Sequence, residues 1–342
     1  MPIALDATYS LGRNLSGIGV YSREIMHGLA RAHPNQEFLF CYRPHRFLAS
    51  YRESIPANAV RRLLAGAPPG DLFHALNQRV DARAPKTICT FHDLFVMTSE
   101  YSSPEFRARF IEQAKLAAER SDLIIAVSRF TAAQVQSLLA VPSERIRVIH
   151  HGVRIAEPVK TAREKLILFV GAVQKRKNLS GLARAFSGQL SGELSGWKLT
   201  IAGALNGYGG EEEVKAIDAC TRRTDIEILG YVSAEQLESL YRRASIFAFP
   251  SLDEGFGMPV LEAMAHGVPV ITSNRSSLPE VAGDAALLVD PLEVDSIAAA
   301  LARLASDAAL RADLARRGLE RARQFSWESA VEKTWQVYNE IR

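Results

Sequence analysis

The stretch Ser251 to Gly267, SLDEGFGMPVLEAMAHG, sets two carboxylates, Glu254 and Glu262, on either side of a glycine turn and a helix start. Gly255 and Gly257 remove side chains that would otherwise shield the backbone, so a ligand can approach it. Pro259 fits a first helical position and Gly267 a stop, which predicts a helix over 259–266 with Val260, Leu261 and Met264 facing its core. The turn before such a helix presents backbone N–H groups, an anion site suited to phosphate. Glu262, one turn in, repels a phosphate unless its carboxylate accepts hydrogen bonds from neutral hydroxyls, such as those of a ribose. Glu254, on the other side of the turn, can accept from a second polyhydroxyl group. Sugar hydroxyls, phosphates and ribose hydroxyls follow one another in a nucleotide sugar. Singly, Glu262 also fits a residue answering the helix dipole and Glu254 a solvated loop acid; it is their combination around one turn that points to chemistry.

Four other stretches carry candidate residues, and a fifth, VIHHGV, carries a histidine pair read as structure. In FVGAVQKRKNLSGLARAF a strand ends at Gly171, Asn178 fits an N-cap, and Arg176 and Lys177 precede the helix, where cations can neutralise a departing diphosphate. A solvated basic turn is the plain alternative. In NLSGIGVYSREIMHGLA, Gly17 and Gly19 open a helix and permit close backbone approach, without dinucleotide-binding G-x-G-x-x-G spacing. TICTFHDLF ends a β-branched strand at His92, either projecting into a cleft or bonded to local backbone. His150 and His151 in VIHHGV are neighbours on a strand, face opposite sides and are read as hinge-adjacent structure. The helix 104–120 carries Arg107, Arg109, Lys115 and Arg120 among apolar residues, which suits an ordinary surface helix or one lying on anionic lipid.

These residues need a scaffold of alternating strands and helices. IALDAT, EFLFCY, DLFHAL, TICTF, DLIIAVS and IRVIHHG in the first half, and LILFVGA, KLTIAGA, IEILGYV, SIFAFPS, PVITS and AALLVD in the second, read as buried strands between helical stretches. That pattern predicts an α/β protein with two doubly wound parallel sheets and ligands at the strand C-terminal ends, in the cleft between the two. The expected division is a domain over 1–156, a linker over 157–165, a second domain over 166–325, and an amphipathic closing helix over 326–342 returning to the first. Residues 1–155 hold 19 basic and 13 acidic residues, a net +6, and the remainder 22 and 25, a net −3, so overall charge does not imply nucleic acid. Cys41, Cys89 and Cys220 lack metal-ligand spacing and fit reduced thiols of a cytoplasmic protein. No apolar run approaches the roughly 20 residues of a membrane span, and MPIALDATYS lacks the pattern of a signal peptide. An NAD-dependent oxidoreductase needs a glycine fingerprint with a following acidic residue, and a P-loop NTPase needs G-x-x-x-x-G-K-[ST]; neither motif occurs.

E-G-F-G-x-P-x-x-E together with EAMAHGVPVITSNRSSLPEVAGDAALLVDP resembles the retaining glycosyltransferases of family 4, with their two-domain GT-B fold and Glu-x7-Glu signature; the likeness is strongest over 165–325. The resemblance implies that Glu254 meets donor-sugar hydroxyls, that Gly255, Phe256, Gly257 and Met258 form the donor-binding turn with backbone N–H groups toward sugar and phosphate, and that Glu262 holds the ribose. It implies Arg176 and Lys177 at the diphosphate, although Ala172 departs from the family's glycine-arginine form. It places His92 near the transferred sugar and the Gly17/Gly19 loop at the reaction centre. It further implies a hexose donor, GDP-mannose first and UDP-glucose or a UDP-N-acetylhexosamine as alternatives, and a saccharide or lipid-linked saccharide acceptor. No cofactor or metal is expected, and the setting is the cytoplasm or the inner face of an anionic membrane. A non-catalytic nucleotide-sugar-binding subunit is the competing reading.

Overall fold

A computed structural model describes residues 2–12, 14–157, 162–188 and 192–342. The chain divides into two compact units, one of Met1–Ser99, Pro104–Gly152 and Phe325–Arg342, the other of Glu100–Ser103 and Val153–Gln324. Residues 158–161 of the expected linker lie outside the described residues. Its last two positions belong to a strand, and Arg163 just before them donates to the carbonyls of Tyr241 (3.0 Å) and His266 (2.6 Å).

The first unit is a parallel sheet of β1 (Ile3–Asp6), β2 (Phe38–Tyr42), β3 (Ala59–Leu63), β4 (Leu72–Ala75), β5 (Lys86–Phe91), β6 (Leu123–Ala126) and β7 (Ile146–Val148), in the order β3-β2-β1-β4-β5-β6-β7. β3, with sequence AVRRL, is absent from the sequence expectation. It is an edge strand with mostly solvent-facing side chains, so it needs no apolar run to be recognised by. The inner strands are buried throughout except for Lys86 at the start of β5, as sheets covered on both faces require. The last helix, Trp327–Ile341, begins at Ser326, whose hydroxyl accepts from Ser329 N, and packs on the helix Gly17–Ala32. Val331 lies so close to Gly28 that a Cβ there would meet its Cγ2 at 2.4 Å, and Trp335 stacks on His33 at 3.6 Å.

The second unit is a parallel sheet of β8 (Glu164–Val170), β9 (Lys198–Ala202), β10 (Ile226–Gly230), β11 (Ala244–Phe249), β12 (Val270–Ser273) and β13 (Ala286–Val289), ordered β10-β9-β8-β11-β12-β13. The chain winds outward from β8 to one edge, then returns to place β11 on its other side. The direction of winding therefore reverses between β8 and β11, and in open α/β sheets the crevice at such a reversal takes the ligand. The same reversal falls between β1 and β4 in the first unit.

Candidate active site

In the second unit the two loops leaving the reversal point carry the charged candidates. After β8 the chain forms a single tight turn, Lys175–Lys177, and then the helix Leu179–Ser187. After β11 it runs through 250–257 into the helix Met258–Ala265. The helix begins one residue before the sequence expectation, so Pro259 holds its second position, and Val260, Leu261 and Met264 are fully buried as expected. Gly257 precedes it at φ +103°, where a Cβ would be strained and would strike Leu278 Cδ2 at 2.6 Å.

Asn178 stands at the helix start but does not cap it with its side chain, contrary to the sequence reading. Its backbone is left-handed (φ 57°) and its amide instead donates to the carbonyls of Pro250 (3.2 Å) and Pro291 (2.6 Å). That cross-link, with Leu252 N donating to Arg176 O at 2.7 Å, ties the two loops together.

Here Arg176, Lys177 and Glu254 converge. Glu254 Oε1 accepts from Arg176 Nη1 at 3.0 Å and from Lys177 Nζ, and the Arg176 guanidinium also donates to Asp253 O at 2.8 Å. Lys177 and Glu254 are only 6% and 7% exposed, which rules out a solvated basic turn and a solvated loop acid. Lys177 Nζ lies 4.7 Å from the centre of the Phe249 ring. Burial pushes the Glu254 carboxyl up, but the charges of Arg176 and Lys177 outweigh it and hold it below the usual range, so it is ionised at neutral pH. Its backbone is fixed from a third element: Ser276 Oγ accepts from Glu254 N at 3.0 Å, and Ser277 Oγ donates to Glu254 O at 2.7 Å.

Glu262 is held by a residue the sequence reading did not single out. Tyr241, in the helix Ala234–Arg243, donates its hydroxyl to Glu262 Oε2 at 2.8 Å, and its ring stacks on His266 at 4.8 Å. Burial raises the Glu262 carboxyl, opposed by the Tyr241 hydroxyl and by His266. A carboxylate offers about four acceptor sites, so one tyrosine bond leaves capacity for two hydroxyls of a ligand. Nothing local marks Tyr241, because the contact spans 21 residues and two helices. Gly255 and Phe256 are buried in the turn, and Met258 opens the helix.

The first unit gathers a different set. Ser16 Oγ accepts from Gly19 N at 3.3 Å, capping the helix, and a Cβ on Gly19 would come within 2.8 Å of Tyr9 O. Gly17 is exposed, with nothing near its absent side chain. His92, past β5, is buried and its Nε2 donates to Leu76 O at 2.9 Å, which fixes the neutral tautomer with Nδ1 as acceptor. The bond runs to the end of β4, not to the local backbone. Its ring meets Tyr21 edge-on at 4.8 Å and stacks on His151 at 5.4 Å. The tandem histidines do face different ways, His150 toward Phe325 and His151 toward His92 and Trp327. The partnership of His151 with His92 was not legible in VIHHGV.

A third buried histidine, His74, bonds Tyr338 at 2.7 Å and Thr90 at 2.8 Å. Burial drives His74 down to about 3, His92 to about 4 and His151 well below its ordinary value. A histidine neutral in the fold but protonated when unfolded gives stability that is complete above the unfolded value near 6.5 and is lost as pH falls toward the folded value. Between pH 6.5 and 5 His74 and His92 therefore each remove roughly 1.5 kcal/mol, and His151 acts in the same direction. Urea unfolding of the protein should show a midpoint that drops steeply over this interval; a midpoint constant from pH 7 to 5 would contradict the buried neutral state of all three.

The helix Pro104–Arg120 buries Phe110, Ala114, Ala117 and Ala118. Arg107 donates to Ser99 O at 3.0 Å, and Arg120 to the carbonyls of Val80 (2.8 Å) and Asp81. The charges left on its exposed face are Arg109 and Lys115 against Glu105, Glu112 and Glu119, which is no basic stripe. A groove of about 620 Å³ runs along it, lined by Arg79, Phe106, Arg109, Leu116 and others, and contains none of the candidate residues of the glycine turn, the basic turn or the histidine set. Among the described residues no three His, Cys, Asp or Glu side chains are grouped to hold a metal ion, and no helix is long and apolar enough to cross a membrane.

Residues 15–157 match the model of Glycosyltransferase Family 4, and residues 154–321 that of Glycosyl transferases group 1. An O-antigen chain mannosyltransferase B of Escherichia coli is 34% identical over 284 residues, which cover 78% of this chain and 74% of that one. The chain belongs to the family 4 glycosyltransferases. The glycosyltransferase is also 30% identical to the serotype-specific mannosyltransferase WbdA of Escherichia coli over 266 residues, 72% of this chain but 32% of that protein. Its fold is GT-B. Sucrose-phosphate synthase from Thermosynechococcus elongatus superposes with a TM-score of 0.77 at 21% identity over 99% of this chain and 98% of that one. WaaG, a glycosyltransferase involved in lipopolysaccharide biosynthesis, gives 0.75 at 13% identity over 98% and 99%. For a glycosyltransferase, the reversal point of the second sheet offers what a sugar diphosphate needs: two fixed cations, a helix N-terminus, and two carboxylates that can accept from hydroxyls.

Proposed function

We propose that this glycosyltransferase moves mannose from GDP-mannose to a saccharide or lipid-linked saccharide in polysaccharide assembly, retaining the anomeric configuration and using no metal ion. The observation that carries the reading is the convergence of Arg176 and Lys177 with Glu254 where β8 and β11 end, with Glu262 about one turn into the helix that follows. The mannosyl donor is supported by the relatives, O-antigen chain mannosyltransferase B and WbdA, both named for mannose transfer.

In this reading Glu262 accepts from the ribose, the turn 255–258 binds the phosphates, and Glu254 accepts from mannose hydroxyls. The bond between C1 and the diphosphate oxygen breaks while the acceptor oxygen bonds C1 on the same face, and the acceptor's proton passes to the departing phosphate. Arg176 and Lys177 take the growing negative charge, the part a divalent cation would otherwise fill. In this reading Glu254 positions the sugar by accepting from its hydroxyls and is not the attacking group. His92, with Nε2 fixed on Leu76 O, presents Nδ1 as an acceptor for the transferred sugar.

Thermal unfolding with GDP, GDP-mannose, UDP and UDP-glucose tests the donor, since a ligand at 100 times its Kd stabilises by about 2.7 kcal/mol. Guanine nucleotides should shift the midpoint and uracil nucleotides should not; the reverse assigns a UDP-sugar donor. Transfer should persist in chelator with an α-linked product from the α-configured donor. Activity lost in chelator and restored by Mg²⁺ or Mn²⁺ would overturn metal independence, and a β-linked product would overturn retention.

A further inference from the structure

The two cations assigned to the diphosphate are already paired with one carboxylate of the same chain, which offsets one of their two charges. Glu254 Oε1 receives both Arg176 Nη1 and Lys177 Nζ, and all three groups are shielded from water, with side chains at most 12% exposed. Hydrogen bonds from neighbouring elements hold the backbone of the arrangement. Ser276 and Ser277 hold the backbone of Glu254, Asn178 holds the cationic turn to Pro250 and Pro291, and Arg176 is bonded to Asp253 O. A diphosphate entering this site brings at least two negative charges to a place where one buried negative charge is fixed beside the same two positive ones. Like charges in a water-poor site disfavour one another strongly.

We propose that Glu254 is a built-in competitor of the diphosphate, which discriminates the sugar-bearing donor from the spent nucleotide and drives release of the latter. This rests on the assignment of Arg176 and Lys177 to the diphosphate. With the intact donor, the carboxylate gives up the cations and is compensated by the sugar hydroxyls it then accepts. Once the sugar has left, the diphosphate shares the site with a carboxylate that has neither hydroxyls nor undivided cations. Glu254 reclaims Arg176 and Lys177, and the nucleotide leaves. The same residue therefore serves specificity before transfer and turnover after it.

The test is calorimetry of GDP and GDP-mannose, with UDP and UDP-glucose in parallel, on the whole protein and on Glu254→Gln, Glu254→Ala and Lys177→Met. Both Glu254 variants should bind the free diphosphate about tenfold more tightly, equivalent to about 1.4 kcal/mol, while losing transfer. Alanine matters because it adds no donor that could itself hold a phosphate. Lys177→Met should weaken diphosphate binding. If it does and the Glu254 variants bind the diphosphate no better than the unaltered protein, the competitor role is overturned and the phosphate assignment stands. If Lys177→Met has no effect on the diphosphate, the assignment fails and the proposal with it. Should the Glu254 variants not fold, the unaltered protein decides: it should bind the sugar donor at least as tightly as the free diphosphate, and a tenfold preference for the diphosphate overturns the proposal.

Discussion

Lys177→Met should lower kcat by about 10²–10³, the usual cost of removing one preorganised group that stabilises charge developing in the transition state. Methionine keeps an apolar stem over the Phe249 ring, and Arg176 still pairs Glu254, so no buried carboxylate is abandoned and the fold should survive. The loss should fall mainly on kcat, because the negative charge that Lys177 meets grows as the bond to C1 breaks. Arg176→Met should behave similarly but also release Asp253 O, adding a modest stability loss. Steady-state kinetics on variants with native melting behaviour would settle it: turnover within tenfold of the unaltered enzyme would remove Lys177 from the transition state.

Glu262→Ala should weaken GDP and GDP-mannose alike by roughly 10- to 150-fold, from the loss of charge-assisted hydrogen bonds worth about 1.5 to 3 kcal/mol. Because Tyr241 donates to Glu262 from a buried position, the substitution also strands that hydroxyl and destabilises the protein by about 1–3 kcal/mol. Glu262→Ala combined with Tyr241→Phe removes the stranded donor and should restore much of that stability without restoring affinity. The ribose role and the structural role thereby separate. Calorimetry on the double variant is the critical measurement, and GDP bound as tightly as by the unaltered protein would assign Glu262 to the fold alone. Glu254 and Glu262 should then move GDP affinity in opposite directions, a sharper contrast than two carboxylates that merely divide sugar from ribose.

The twelve strands expected from apolar runs all form: the inner ones write their signal in consecutive buried side chains, and the partly exposed edge strands β7, β10 and β13 still keep enough apolar residues to be read. The missing one, β3, is an edge strand whose Arg61 and Arg62 carry no such signal. The turn and helix around Gly257 were legible for the same local reason: a left-handed glycine, a proline in the first turn and an apolar face all lie within ten residues. Even the displacement of the helix start by one residue is the ordinary imprecision of helix ends.

Sequence by itself determined the two doubly wound sheets, the glycine turn and its two carboxylates, and the basic turn at Arg176 and Lys177, since each depends on periodicity or on neighbours a few residues apart. Only the tertiary structure decided which of these groups touch. Glu254 meets Lys177 across 77 residues because β11 crosses back to lie against β8. His92 meets His151 because the ends of β5 and β7 converge over Tyr21. Tyr241 reaches Glu262 between two helices, and Asn178 spends its side chain on distant carbonyls where local rules predicted a cap. Such contacts are set by strand order and by which buried polar groups lack other partners. Both are properties of the assembled sheet, and no window of neighbouring residues contains them.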